Sequence, residues 1–203
     1  MENKSSKLVY KRYKTSRNMT IKHRITDSEN THVMLDIETL GTGANAIILQ
    51  IAMVKFGLND QNGETMKTIV NVFPCIKEQH DEGRTMTFDT VNWWLGPDHV
   101  SILANLRKQE TSNLVDVRSQ IAKHMEEFRK SGVHLWARSP KFDIKILEDF
   151  LGTDVPEHSR RHQRDVREYE FISGDRPGAS HDAEDDCIQQ IILVTNVIQR
   201  LFI

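Results

Sequence analysis

Asp36 and Glu38 stand two residues apart inside an otherwise apolar stretch that runs from His32 to Glu38. Side chains at i and i+2 of a strand leave on the same face, so a strand here would aim two carboxylates at one spot. Holding two like charges together away from water is unfavourable unless a cation neutralises them. An all-oxygen site of this kind suits Mg²⁺ or Mn²⁺, although a Lys or Arg at a strand edge would balance the same charges with no chemistry. Asp143 follows the strand-like segment VHLWA, in the first turn of a helix that opens near Phe142. The helix dipole alone would favour an acid there. The third group is His181-Asp182-Ala183-Glu184-Asp185-Asp186, after the turn Gly178-Ala179-Ser180. Ser180 or Asp182 could cap the helix that follows, but this density of acids repels itself more than capping requires. Asp182 and Asp186 lie one turn apart, and a histidine beside a metal-binding carboxylate can take a proton from water near neutral pH. Taken together, these side chains could hold two divalent ions. A pair of ions about 3.5–4 Å apart supports in-line attack of water on a phosphodiester, one activating the water and the other stabilising the leaving 3′ oxygen.

The elements that must position these groups can be read from hydrophobic period and turn signals. His32 to Glu38 and Ala46 to Phe56 (AIILQIAMVKF) are predicted strands with a Gly41-Thr42-Gly43 turn between them. Met66 to Phe73 alternates as a third, and the short connections predict an antiparallel meander. Helical pieces are expected over Thr90–Trp94 and Pro97–Lys108. A longer amphipathic helix is expected over Asn113–Ser131, with Val115, Ile121, Met125 and Phe128 near one face. Val133–Ala137 is a predicted strand, Phe142–Leu151 a helix closed by Gly152, and Asp182–Leu201 a final apolar-striped helix. Between them, residues 153–180 read as loop with a short strand near Arg164–Val166. A meander followed by alternating helices and strands predicts an α/β fold with one sheet and helices on its faces.

Composition narrows the setting. The chain has 203 residues and a formal charge of −2, so bulk positive charge is not its means of holding a polyanion. Cys75 and Cys187 make neither a disulfide framework nor a cysteine-rich zinc site. With no membrane-length apolar run and no hydrophobic stretch after the basic N-terminus, a cytoplasmic protein is expected. Residues 1–30 carry Lys4, Lys7, Lys11, Arg12, Lys14, Arg17, Lys22 and Arg24 and read as a flexible basic arm. Such an arm could touch phosphate, be a solvated tail, or precede a start at Met19. Residues 31–203 form the expected domain.

The same residues carry a family resemblance. The chain resembles the DEDDh 3′→5′ exonucleases of the RNase H-like superfamily. The D-x-E motif reads Asp36-Ile37-Glu38 within DIETLGTG, the second acid follows an aromatic as Phe142-Asp143, and H-x-A-x-x-D reads His181-Asp182-Ala183-Glu184-Asp185-Asp186. The likeness is closer to the phage DexA exonucleases and their relatives, the exonuclease VIII-like proteins and the mycobacterial exoribonuclease RNase AS. It extends through DIETLGTGANAIILQIAMVKF, Trp93-Trp94, VHLWARSPKFD and Arg164-Asp165-Val166-Arg167. The resemblance implies a mixed central sheet flanked by helices and two divalent ions, Mg²⁺ or Mn²⁺. It makes Asp36 the bridging ligand, with Glu38 and Asp186 completing one metal site, Asp143 helping the other, and His181 as general base. Where many relatives have an Asn shortly before the second acid, this chain has Arg138 and Ser139.

The implied substrate is the 3′ end of a nucleic acid, with DNA the leading reading, an exoribonuclease the runner-up, and self-association open. Thr39 and Leu40, after the first motif, are candidate contacts to the terminal nucleotide, with Phe142 and Arg138 beside the second. Of Trp93 and Trp94, one is expected in the core and one on the substrate side, where Trp94 is a candidate to stack on a base. Lys141, Arg167 and the run Arg160-Arg161-His162-Gln163-Arg164 are phosphate contacts or solvated charge. Two other classes compete with the enzyme. A degenerate binding module should lack a ligand or the base, and none is missing; an acidic interaction surface should keep its acids off apolar strands.

Overall fold

The computed structural model describes residues 32–58 and 65–202; the basic arm lies outside them. Three strands, β1 (His32–Thr39), β2 (Ile48–Phe56) and β3 (Lys67–Val72), form the expected antiparallel meander. Helices α1 (Ile76–Asp81), α2 (Phe88–Trp94), α3 (Val100–Leu106) and α4 (Leu114–Ser131) follow. Then come β4 (His134–Ala137), α5 (Pro140–Leu151), α6 (Glu157–Arg161), β5 (Arg164–Asp165), α7 (Val166–Ser173) and α8 (Ala183–Phe202). The sheet has five strands in the order β3-β2-β1-β4-β5, with β4 parallel to β1 and β5 parallel to β4. This is a mixed sheet with helices on both faces, the RNase H-like α/β arrangement expected.

The period of two on β1 divides the molecule. Val33, Leu35 and Ile37 face a core built with Leu114, Val117, Ile121 and Phe128 of α4 and Ile144, Leu147 and Phe150 of α5. Met34 faces the other way, into a second core with Ala52, Val54 and Phe56 of β2 and Ala183, Cys187, Ile191 and Val194 of α8. Asp36 and Glu38 continue that second face at the carboxyl end of the strand, opposite Ala52 and Gln50. The site acids therefore stand where the apolar packing of α8 gives out.

Helix ends follow local chemistry. The Asn113 side chain accepts from Asp116 N–H and starts α4, and Gly132, at φ 65°, ends it in the left-handed conformation glycine tolerates. Pro140 opens α5, a first-turn position where its missing N–H costs nothing. Two parts of the sequence reading change. Val115 is 75% exposed, and the inward face of α4 is carried instead by Leu114, Val117, Ile121, Met125 and Phe128. The segment 153–180 holds α6 and α7 as well as the short strand. Their few turns pack too little apolar surface to give a legible period; Phe171 of α7 is 90% exposed.

His32 sits at the opposite end of β1 from the acids. It is buried, its Nδ1 accepts from Trp136 Nε1–H at 3.0 Å, and its ring stacks on His134. Burial first, then the nearby His134 and Arg164, push its pKa from 6.5 down to about 3. The unfolded chain therefore binds a proton here that the native chain refuses. This contribution to stability is complete above about pH 6.5 and is lost as pH falls toward about 3. His32→Gln keeps an acceptor for Trp136 but does not titrate. Between pH 7 and 5 the parent is expected to lose about 2 kcal/mol relative to this variant, read from urea unfolding at each pH.

Candidate active site

The first motif delivers Asp36 and Glu38 to the carboxyl end of β1, beside the carboxyl end of its parallel neighbour β4. In open α/β sheets that is where ligand crevices form. The chain leaves β4 through Arg138 and Ser139, and α5 then carries Phe142 and Asp143. From the opposite layer, the turn at Ser180 and the first turn of α8 bring in His181 and Asp186. Asp36, Glu38, Arg138, Phe142, Asp143, His181 and Asp186 line a single cleft, closed on one side by Pro177, Gly178 and Ala179. Ligating atoms of Glu38, His181 and Asp186 all lie within 4.8 Å of one another.

The start of α8 is fixed by its own acids. Asp186 accepts from the Ser180 N–H at 2.7 Å, the Ser180 hydroxyl at 2.8 Å and the His181 N–H at 3.2 Å. Asp182 caps the helix, accepting from the N–H groups of Glu184 and Asp185. Glu184 accepts from the Thr68 hydroxyl and the Asn71 amide of β3, both at 2.6 Å. Buried Gln50 ties the same turn to the sheet, accepting from Ala183 N–H at 2.9 Å and donating to Asn71 at 3.0 Å and Asp182 at 3.3 Å. Asp182 and Glu184, which the motif leaves unexplained, thus dock the helix. His181 has φ 57°; a β-carbon in the left-handed region costs about 1–2 kcal/mol. Strain of that kind is typical of residues held for a task.

Electrostatics define what the cleft would accept. Burial, then the neighbouring Asp186, raise the Asp36 pKa from 3.8 to about 7. Burial and the carboxylates of Asp36, Asp186 and Asp143 hold the Glu38 acid well above its ordinary range. Burial, then Asp36, do the same to Asp143 against the pull of nearby backbone amides. His181 is shifted down, by burial first, with Asp186 partly opposing. The adjacent guanidinium, Arg138, donates its Nε–H to Glu170 at 2.8 Å. These acids repel one another unless protons or a cation are supplied, and carboxylate oxygens with one imidazole suit a hard divalent ion. The donor set fits Mg²⁺ or Mn²⁺.

Several expected substrate contacts are placed differently. Trp94, the candidate base-stacking ring, is 1% exposed and donates its Nε1–H to the Thr39 carbonyl at 2.8 Å. Trp93 is the exposed member of the pair, stacked on His99 at 3.7 Å and edge-on to His181 at 4.8 Å. Trp94 is therefore a core ring and not a base-stacking one: adjacent helix positions point about 100° apart, and only one can enter the core. Thr39 is buried with its hydroxyl donating to Gly41 O at 2.7 Å. Leu40 uses its N–H on Ile47 O and its carbonyl on Thr87 N–H, and its side chain packs beside Trp94. Neither lines the cleft. Arg160 pairs with Glu148 and Asp154, Arg161 with Glu157, and Arg167 with Asp165, so these three guanidinium groups are balanced by their own neighbours. Trp94→Phe leaves the Thr39 carbonyl without its indole donor and is expected to lower unfolding free energy by about 1–3 kcal/mol, measured by urea denaturation.

Other residues around the site have weaker sequence signals. Buried Arg84 donates to the Ala46 carbonyl from Nε at 3.0 Å and from its terminal nitrogen at 2.7 Å. It also pairs with Asp149 at 2.7 Å, which fixes the loop after β1 against α5. Gln79 clamps both backbone groups of Ile48. Gln50 was detectable as an amide within an apolar strand; Arg84 and Gln79 lie in segments with no such contrast.

The RNase H-like architecture and the acids gathered over its parallel strands define a class in which nucleases are found. Residues 31–198 match the 3′-5′ exoribonuclease Rv2179c-like domain, and the chain belongs to that family. It is also 24% identical over 126 residues to an exodeoxyribonuclease of Enterobacteria phage T4. That similarity covers 58% of this chain and 54% of the phage protein, so the chain spans about half the length of that relative. Among the described residues, no helix is long and apolar enough to cross a membrane.

Proposed function

We propose that this protein is a metal-dependent 3′→5′ exonuclease of the DEDDh type that releases nucleoside 5′-monophosphates from a nucleic-acid 3′ end. The observation that carries the reading is the convergence of Asp36, Glu38, Asp143, Asp186 and His181 on one cleft. Asp36, Glu38, Asp143 and Asp186 would hold two divalent ions, Mg²⁺ or Mn²⁺, and His181 would be the general base. Bound there, the ions would supply charge neutralisation at the phosphate and at the leaving 3′ oxygen. The chain's own contribution is position and proton transfer. Asp186, fixed by Ser180 and the His181 amide, sets the imidazole beside Glu38, with Nδ1 at 3.9 Å from Oε1. His181 takes the proton of the attacking water, and its depressed pKa keeps it neutral and ready to do so. Phe142, which lines the cleft, and the exposed Trp93, edge-on to His181, are apolar surfaces on which a terminal base would rest.

Two substrate readings each have support. The phage relative is named an exodeoxyribonuclease, which favours DNA; the family is described as exoribonuclease, which favours RNA. Discrimination rests on contacts to the 2′-hydroxyl. The deciding experiment mixes DNA and RNA single strands of one sequence, each with a distinct 5′ label, in a single competition. The strand consumed first identifies the substrate, and nucleoside 5′-monophosphates are the expected product. Release of 3′-monophosphates or of internal fragments would contradict the proposed chemistry.

A further inference from the structure

We propose that Gln190 is a positioning residue of the metal site. Its amide N–H orients Asp36, and its carbonyl oxygen accepts a hydrogen bond from the water shell of a divalent cation held beside that acid. The proposal rests on the metal-dependent reading above.

Gln190 lies one turn beyond Asp186 on α8, is 4% exposed, and lines the same cleft. Its Nε2–H donates to Asp36 Oδ1 at 3.0 Å. Its Oε1 is buried and has no hydrogen-bond partner. Among the described residues, the other two buried glutamines have both ends in use. Gln50 accepts from Ala183 while donating to Asn71 and Asp182, and Gln79 accepts from Ile48 N–H while donating to the carbonyls of Ile48 and Pro74. The open acceptor is thus on the buried glutamine that faces the acids. Turning the amide over would set its carbonyl against the Asp36 carboxylate, so an ionised Asp36 selects the observed orientation. An unpaired buried acceptor is unfavourable and calls for a donor. Water coordinated to a cation supplies a strong one, and partners of this kind orient both ligand and metal. A neutral amide does both jobs without adding another negative charge to an already crowded cleft.

The test is Mn²⁺ binding without nucleic acid, followed through the electron-paramagnetic-resonance signal of free Mn²⁺, on the parent, Gln190→Met and Gln190→Glu. Met keeps the length and apolar packing but removes donor and acceptor. Glu keeps an acceptor and adds charge. The expected result is that Gln190→Met binds Mn²⁺ roughly 10- to 100-fold more weakly and needs a correspondingly higher Mn²⁺ concentration for half-maximal hydrolysis. Gln190→Glu, which keeps the acceptor but loses the donor to Asp36, should bind more weakly than the parent and more tightly than Gln190→Met. A residue that merely packs the helix would give the reverse order, with Met tolerated and the buried charge disruptive. Thermal unfolding without metal checks that both variants fold. Parent-like Mn²⁺ affinity in a folded Gln190→Met variant would overturn the proposal while leaving the exonuclease reading intact. A parent that binds no Mn²⁺ would overturn both.

Discussion

Asp36→Asn is expected to reduce hydrolysis by about three orders of magnitude while making the metal-free protein more stable at pH 8. The two effects have one cause. Asp36 lies among Glu38, Asp143 and Asp186 with its pKa raised from 3.8 to about 7, by burial first and by Asp186 second. A carboxyl whose native pKa exceeds its unfolded value favours the fold when protonated. That contribution is complete below about pH 4 and is lost as the pH rises through about 7. The ceiling on the loss at pH 8 is about 4 kcal/mol; rearrangement of protons among the neighbouring acids reduces what a single substitution recovers. An increase of about 2 kcal/mol, or roughly 5 °C in melting temperature, is expected for the metal-free variant. Divalent cation should reverse the ranking. It binds the native parent and stabilises it by mass action, whereas Asn offers a weaker ligand. Calorimetry of both proteins with EDTA and with Mn²⁺ reads this crossover directly. Equal metal-induced stabilisation of the two would remove Asp36 from the metal site.

The second large effect belongs to His181. His181→Ala should slow hydrolysis by about 10²- to 10⁴-fold, the usual worth of a positioned general base, while the Mn²⁺-induced rise in melting temperature persists. The backbone adds a separate signature. His181 is the described non-glycine residue with positive φ, so His181→Gly should be at least as stable as the parent and as inactive as the alanine variant. Stability and activity would then part at one position, as expected where strain is kept for function. Because burial lowers the His181 pKa, the parent's rate at saturating metal should hold to below pH 6.5 before it falls through loss of the neutral base. A profile already half-lost at pH 7.5 under those conditions would assign the base elsewhere.

The legible part of this protein was the part governed by local period. Alternation on β1 placed Asp36 and Glu38 on one face, and the short links gave the meander. Gly132 and Gly152 marked the helix ends. What stayed hidden depends on contacts between distant segments. Nothing local says which of Trp93 and Trp94 turns inward; the Thr39 carbonyl, 55 residues away from Trp94, decides it. The run Arg160–Arg164 left phosphate contact and solvated charge both open, because Glu148 and Asp154, the partners of Arg160, belong to preceding segments. Val115 follows Leu114 by one position, about 100° round α4, so it turns to solvent while Leu114 and Val117 enter the core. Asp182, Glu184 and Gln50 were visible as residues, yet their joint task of docking α8 on the sheet required the crossing of β2, β3 and α8.

Removal of nucleotides from a 3′ end by this cleft can be followed on a labelled single strand. A 5′-labelled oligonucleotide, prepared as DNA and as RNA, is incubated with Mg²⁺ or Mn²⁺ and either the parent or Asp36→Asn. The expected result is a ladder that shortens one nucleotide at a time from the 3′ end, dependent on the metal and absent with the variant. An intact strand in every lane with the parent, or the same ladder from Asp36→Asn, would contradict it.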